Sequence, residues 1–405
     1  MEEQNTPRPR RERQKKSRRR ADFAPLRSAL VTIIACILCI AVTVGVMYLV
    51  FFSRFGGVAN YKMARKLVEV KEVIDDSYIG EQDQTAMTHA ASAAMVSALG
   101  DQWSYYMTPE EYKAYQMYSA NEYAGIGVTI QSEPSGGGFQ IVAVTAQSPA
   151  EKAGLQPGDV IVAIDGADVS GKTITDVQEI IRAKVNRTVS FTIRDSDGRS
   201  RTVSVDCTVI HTDPVSYKML EGNVGYIKLN NFESGCGDGA VKAMDQLLSD
   251  GAAALVFDVR DNPGGKLTEL IQILDHILPE GDIFVSVDRA GKETVTKSDN
   301  VCVKVPMSVL INGNTYSAAE FFAAALREYD WATTVGQNTT GKGRSQTTIV
   351  LSDGSAVHIS SNKYLTPKRV DLSEQGGLIP DVAIQPGDDP EIDLQLNAAI
   401  SAVLK

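Results

Sequence analysis

The stretch Ser28 to Ser53, "SALVTIIACILCIAVTVGVMYLVFFS", carries no charged side chain and lies between Arg27 and Arg54. About 20 apolar residues in a helix cross the hydrocarbon core of a bilayer. A helix is also the single-segment fold that satisfies its own backbone polar groups there. Residues 28–53 are therefore expected to form one transmembrane helix. A cleaved signal peptide would have a shorter apolar region, about 7–15 residues, followed by a small-x-small cleavage site. Residues 1–27 hold ten Lys/Arg against four Asp/Glu, a net charge of +6, whereas the rest of the chain carries −16. Basic flanks stay on the cytoplasmic side. The basic arm 1–27 is thus expected in the cytoplasm and the body outside it, on a single-pass cell-membrane protein. An acidic body repels phosphate and argues against a nucleic-acid partner. Cys36 and Cys39 fall in the span as apolar filler. Cys207, Cys236 and Cys302 are an odd set that implies no disulfide framework. No HExxH or paired CxxC pattern occurs, so no metal and no other cofactor is expected.

Beyond the span, residues 58–120 read as mostly helical. "ANYKMARKLVEVKEVIDDSYIG" places Met63, Leu67, Val70 and Ile74 at helical spacing, and "TAMTHAASAAMVSAL" is a second helix stopped by Gly100. Nothing there suggests chemistry. The region is expected to serve packing or dimerisation, and with it a homo-oligomer. Residues 121–206 read as a small separate domain of short strands. In it "SPAEKAG" is a short helix with Ser148 as cap, Pro149 in the first turn and Gly154 as stop. "TDVQEIIRAK" is an amphipathic helix with Val177, Ile180 and Ile181 on one side. Residues 207–405 alternate strand and helix, the pattern of an α/β core. "AALVFDV" and "PMSVLIN" are continuous apolar runs, as in parallel strands covered on both faces. "TTIVLSDGSAVHISSNKYLTP" predicts a hairpin turning at Asp353-Gly354.

The segment "SPAEKAGLQPGDVIVAIDGADV", Ser148 to Val169, with "YAGIGVTI" upstream, resembles a PDZ domain of the bacterial type. Such a domain takes an extended peptide as an added strand, and backbone N–H groups of a Gly-containing loop receive the ligand's terminal carboxylate. The resemblance assigns this role to Gly125, Ile126, Gly127 and Val128. Glycines at 125 and 127 also suit an ordinary turn.

Ser317 opens an apolar helix, "SAAEFFAAAL". With Glu320 it reads first as an S-x-x-E capping box. Its position adds a second reading. The serine follows the buried strand "SVLIN" through a short turn, at the carboxyl end of a strand, where α/β sheets place their sites. A helix N-terminus also offers free N–H groups to a developing oxyanion. A serine hydroxyl needs a base. None of the four histidines (His89, His211, His276, His358) lies in a turn like that of Ser317, although a triad through His211 or His358 stays open. The alternative base is a lysine made neutral by burial. "TTGKGRSQ" offers Lys342 between two glycines, where the bland reading is a solvated surface lysine. The spacing is wrong for a phosphate-binding loop.

"SAAEFFAAAL…VGQNTTGKGRSQ" is similar to the catalytic segment of the carboxyl-terminal processing peptidases, or tail-specific proteases, and "DVRDNPGG", Asp258 to Gly265, matches a further motif of that family. The resemblance covers about residue 60 to the C-terminus. It implies an α/β catalytic core (ClpP/crotonase-like) over residues 207–405, with an inserted PDZ domain (β-rich, α+β) over 121–206. Before these stand an N-terminal helical region at 58–120 and one transmembrane helix at 28–53. It implies a serine endopeptidase with a Ser–Lys dyad: Ser317 as nucleophile, Lys342 as base, Gln346 orienting the lysine. The oxyanion hole would be made by the N–H of Ala318 and that of Gly264 or Gly265, with Gly264 preferred. The partners implied are proteins or peptides with exposed C-terminal tails. The chain departs from the family at Ala319, where a second serine is frequent, and at Tyr316, where a small residue is frequent. Tyr316 bears on substrate preference. The rival readings are a catalytically inactive PDZ scaffold and a ligand-binding protein on the same fold.

Overall fold

The computed structural model describes residues 24–54, 56–387, 389 and 391–404, so residues 1–23 of the basic arm lie outside the described residues. The chain folds as two compact units, one up to Asp83 and one from Gln84 onward. In the first, the helix Ala24–Arg54 contains Arg27–Val50, 24 residues of mean hydropathy 2.8, long and apolar enough to cross a membrane. A second helix, Val58–Ser77, has no buried residue and carries the ion pairs Lys66–Glu69 and Lys71–Asp75 on its surface.

The second unit holds three sheets. One is antiparallel, in the order Glu122–Gly125, Ser200–His211, Arg187–Arg194, Val160–Ile164, Phe139–Val144, Val128–Ser132. It closes over Ile141, Ile161, Phe191 and Ile193, together with Val177 and Ile181 of the predicted amphipathic helix, Ile174–Arg182. Thr173 caps that helix and Ser148 caps the short helix Pro149–Lys152. The sheet runs to His211, past the expected limit at 206, because Ser200–His211 pairs with Glu122–Gly125. The two ends of this insertion meet where Thr212 N donates to Asn121 O at 2.8 Å.

The second sheet runs Val382–Ala383, Ala332–Gly336, Met307–Ile311, Ala254–Asp258, Val224–Leu229, Val215–Leu220. All neighbours are parallel except the last pair. Its central strands are buried on both faces, as their unbroken apolar runs predict. Leu255, Phe257, Val309 and Ile311 face the helices Cys236–Ser249, Leu267–Ile277 and Ala318–Glu328. Val256 and Leu310 face the C-terminal helix Leu394–Val403. The third sheet is antiparallel: Tyr105–Met107, Ala356–Leu365, Gly281–Val287, Glu293–Ser298, with Arg344–Val350 also on Ala356–Leu365. The hairpin at Asp353-Gly354 is present, with Gly354 at φ +88°.

The region 58–120 is mostly helical, with the helices Val58–Ser77, Gln84–Ser97 and Pro109–Ser119, but it is divided between the two units. Gln84–Ser97, Tyr105–Met107 and Pro109–Ser119 belong with the peptidase core, and Tyr105 pairs with His358 across the third sheet. A three-residue strand is too short to show alternation, and its partner lies far away in sequence.

Candidate active site

Three neighbouring parallel strands deliver the predicted residues at their carboxyl ends. Ala254–Asp258 leads to Gly264, Met307–Ile311 to Ser317, and Ala332–Gly336 to Lys342. The loops are stitched to one another before any side chain reaches the site. Asp261 Oδ1 accepts from Asn312 Nδ2 and Asn314 Nδ2, both at 2.9 Å. Thr315 Oγ1 donates to Val259 O at 2.8 Å, and Tyr316 N to Asn262 O at 3.1 Å. Ser317 itself sits at φ +59°, ψ −129°, a conformation L residues seldom adopt and one that over-determined sites retain.

Gly264 (φ +87°) packs directly on this turn. A Cβ there would lie 2.8 Å from Ser317 Cβ and 2.9 Å from Ala318 N, so nothing larger than glycine fits. The Gly264 amide is engaged, donating to Asn262 Oδ1 at 2.8 Å. The N–H groups of Gly265 and Ala318 have no acceptor among the described residues. Asn262, fully buried, thus occupies the Gly264 donor that the family resemblance preferred.

Glu320 ties the serine turn to the lysine loop. It is fully buried and accepts from Ser317 N (2.9 Å), Gly341 N (2.6 Å), Lys342 N (2.8 Å) and Thr339 Oγ1. The capping-box reading anticipated the first of these bonds. The other three join elements that pattern alone does not bring together. The signal available in the sequence was a carboxylate inside an otherwise apolar run.

Ser317, Ala318, Lys342, Gln346, Gly264 and Gly265 all line one cavity of about 360 Å³. Lys342 is half-buried, and its ammonium lies 4.6 Å from the ring centroid of Trp103 and 5.7 Å from that of Tyr316. Burial pushes its pKa down, and the carboxylates of Asp101 and Glu320 work against that fall. No hydrogen bond joins Ser317 Oγ to Lys342 Nζ among the described residues. Contacts of this kind commonly tighten around bound substrate. Gln346 follows a register shift between Ser345 and Gln346, a device that re-aims a strand side chain. Its Nε2 donates to Arg344 O (3.2 Å) and Ser360 Oγ (3.1 Å), not to the lysine.

His358 also faces this cavity, which its strand pattern did not reveal. Its Nδ1 is 2.8 Å from Thr348 Oγ1, and burial, with Lys342 nearby, pushes its pKa down to about 4. His211 instead lines a separate hollow of the inserted domain beside Ser148 and Pro149. The segment read as free of chemistry supplies a wall of the site through Tyr105, Tyr115, Tyr118 and Ser119.

In the inserted domain, Gly125 and Ile126 are buried and Gly127 has φ +86°. Ala150 N donates to Ile126 O and Thr145 N to Gly127 O, both at 2.9 Å. Val128 then begins an edge strand, Val128–Ser132, paired on one side only.

Comparison with known proteins agrees with this architecture. The model of peptidase family S41 matches residues 223–384, and that of a PDZ domain matches residues 140–195. A "Probable CtpA-like serine protease" of Staphylococcus aureus (strain MSSA476) is 30% identical over 358 residues, covering 87% of this chain and 71% of the relative. Its counterpart in Staphylococcus saprophyticus is 30% identical over 325 residues, covering 79% of this chain and 65% of the relative. The chain therefore spans about two thirds of the length of these relatives. Among solved structures, a photosystem II D1 C-terminal processing protease has TM-score 0.50 and 26% identity, covering 87% of this chain and 92% of that one. A putative S41 protease from Bacteroides fragilis shares the fold, with TM-score 0.53, 18% identity and coverage of 81% and 92%. With its strand-end serine, its Gly-Lys-Gly loop and its inserted PDZ domain, the chain belongs to peptidase family S41, as a CtpA-like serine peptidase.

Proposed function

We propose that the chain is a membrane-anchored endopeptidase that cleaves extracytoplasmic proteins near their C-termini with a Ser317–Lys342 dyad. The observation that carries this reading is the convergence of Ser317, Lys342 and the Gly264–Gly265 loop on one cavity from three adjacent strand ends. Ser317 Oγ attacks the scissile carbonyl carbon and gives its proton to the neutral Lys342 amine. The oxyanion is held by the N–H groups of Ala318 and Gly265, since that of Gly264 is engaged. Lys342 returns the proton to the departing amine, then accepts one from the water that cleaves the acyl-enzyme. Gln346 braces the strand beside the lysine through Ser360 rather than by direct contact. The edge strand Val128–Ser132, entered through Gly125–Val128, takes the substrate tail as an added strand. The helix Ala24–Arg54 anchors the enzyme with the basic arm in the cytoplasm.

His358 is the second base to weigh, because it shares the cavity. The two bases differ in pH dependence. A lysine must lose its proton, so kcat/KM rises through neutral into alkaline pH. A histidine already neutral above about 4 leaves the profile flat across that range. The test is cleavage of an unstructured protein by Ser317→Ala, Lys342→Ala and His358→Gln. The expected result is loss of at least about 10⁴-fold for the first two and retained activity with the alkaline limb intact for the third. Full activity in Lys342→Ala transfers the role to His358.

A further inference from the structure

Lys342 is held by aromatic faces. Its ammonium lies 4.6 Å from the Trp103 centroid and 5.7 Å from the Tyr316 centroid. The two rings are 5.7 Å apart and tilted by 30°. Tyr316 adjoins the proposed nucleophile, and Trp103 comes from the segment whose sequence suggested no chemistry. We propose that Trp103, with Tyr316 as a second face, is a positioning residue that seats Lys342 in the catalytic cavity and sets how firmly the amine holds its proton. The inference rests on Lys342 being the base of the proposed dyad.

Trp103 is placed by a closed turn rather than a loose loop. Its backbone N–H donates to Asp101 Oδ1 at 3.2 Å, and Ser104 Oγ donates to Asp101 Oδ2 at 2.5 Å. Ser360 N in turn donates to Ser104 Oγ at 2.9 Å, fixing the turn to the strand that carries His358.

An indole face does two opposed things to an ammonium. Its quadrupole attracts the cation and retains the proton. Its bulk excludes water and favours the neutral amine. The charged and titratable groups facing Lys342 are Asp101, Glu320, His358 and Tyr316, with Arg344 acting on Asp101. None of them is replaced when residue 103 is substituted, and His358, its pKa pushed down to about 4, is neutral at neutral and alkaline pH. The sign of the effect therefore reports the role of the ring. Trp103→Leu keeps an apolar wall and removes the quadrupole, so the proton is held less firmly. A ring that merely fills space would, once truncated, admit water, and the proton would be held more firmly.

The test uses the full chain purified in detergent micelles. The pH profile of kcat/KM on an unstructured protein is measured for wild type, Trp103→Leu and Trp103→Phe. The expected result is a rising limb displaced to lower pH by about one unit for Leu and by less for Phe. The chain has two tryptophans, so Trp331→Phe leaves Trp103 as the sole indole reporter. Its emission between pH 6 and 8.5, below the range where tyrosines with the ordinary value of about 10 ionise, should titrate with the kinetic limb and be flat once Lys342→Met is added. A limb that stays put or moves to higher pH in Trp103→Leu overturns the proposal, as does an emission titration that persists in Lys342→Met. If Trp103→Leu does not fold, the Phe limb and the emission comparison decide by the same criteria. Full activity in Lys342→Ala defeats the dyad alone, and the emission comparison still decides whether the ring holds the lysine.

Discussion

Two glycine-bearing loops serve the two halves of this protein in opposite ways. In the PDZ domain, Gly125–Val128 leads into a strand whose outer edge has no partner strand among the described residues. In the peptidase core, Gly264 is wedged against Ser317 and Ala318, and the loop around it is tied down by Asn262, Asp261 and Phe232. An unpaired edge receives extended chains of many sequences through main-chain hydrogen bonds. A loop bonded on every side fixes one geometry around one hydroxyl. On the function proposed above, recognition is adaptable because the backbone is left incomplete, and chemistry is exact because the backbone is over-determined.

The comparison is broken most severely by placing the same substitution in both loops. Gly264→Ala drives a methyl into Ser317 and Ala318 and is expected to lower kcat by about 10²–10³ on every substrate. Gly127→Ala meets Ser148 Cβ at 2.2 Å and a φ of +86°, so it loosens the PDZ domain. It should spare the cleavage of short peptides while slowing that of tailed proteins. Paired assays on a short peptide and a tailed protein check this, and equal losses on both substrates for Gly127→Ala would erase the distinction.

A smaller effect is expected at Glu320. Gln in its place turns one acceptor into a donor that faces backbone N–H groups. A buried polar group left unpaired costs about 1–3 kcal/mol, and Tm should fall by several °C. Activity should fall with it, by about tenfold, because the serine turn and the lysine loop lose their common anchor. Calorimetry beside a kinetic assay reads both; an unchanged Tm with unchanged kcat would mean that the four bonds are dispensable.

The smallest effect belongs to the open edge. Amidating a substrate's C-terminus removes the charge aimed at the loop amides and should raise KM a few-fold with kcat nearly constant. Equal KM for the amide and the free acid would assign the edge strand to internal segments instead.

Much of this was legible from local pattern. "AALVFDV" announces a two-faced parallel strand, Asp353-Gly354 a hairpin, and "SVLIN" followed by a capped helix a strand-end serine, because each signal is complete within about ten residues. The wall formed by Tyr105, Tyr115 and Tyr118 was not legible, since it exists through pairing with residues some 250 positions away, such as Tyr105 with His358. The hairpin Gly281–Val287 with Glu293–Ser298 gives no such signal: its apolar positions are interrupted by Asp282, Ser286 and Lys297. For Gln346, family resemblance supplied a contact with Lys342. The side chain instead reaches Ser360, a choice made by the strand irregularity just before it.

The bond from Ser360 N to Ser104 Oγ links positions 256 apart in the chain. That separation has a meaning in time. The ribosome makes the Trp103 turn first, then a whole PDZ domain, and the strand that closes the cavity only after Ser317 and Lys342. Until residue 360 has been made, the cavity around Ser317 has no closed wall. A nascent chain that has reached Ser317 but not Ser360 therefore holds an unfinished cavity.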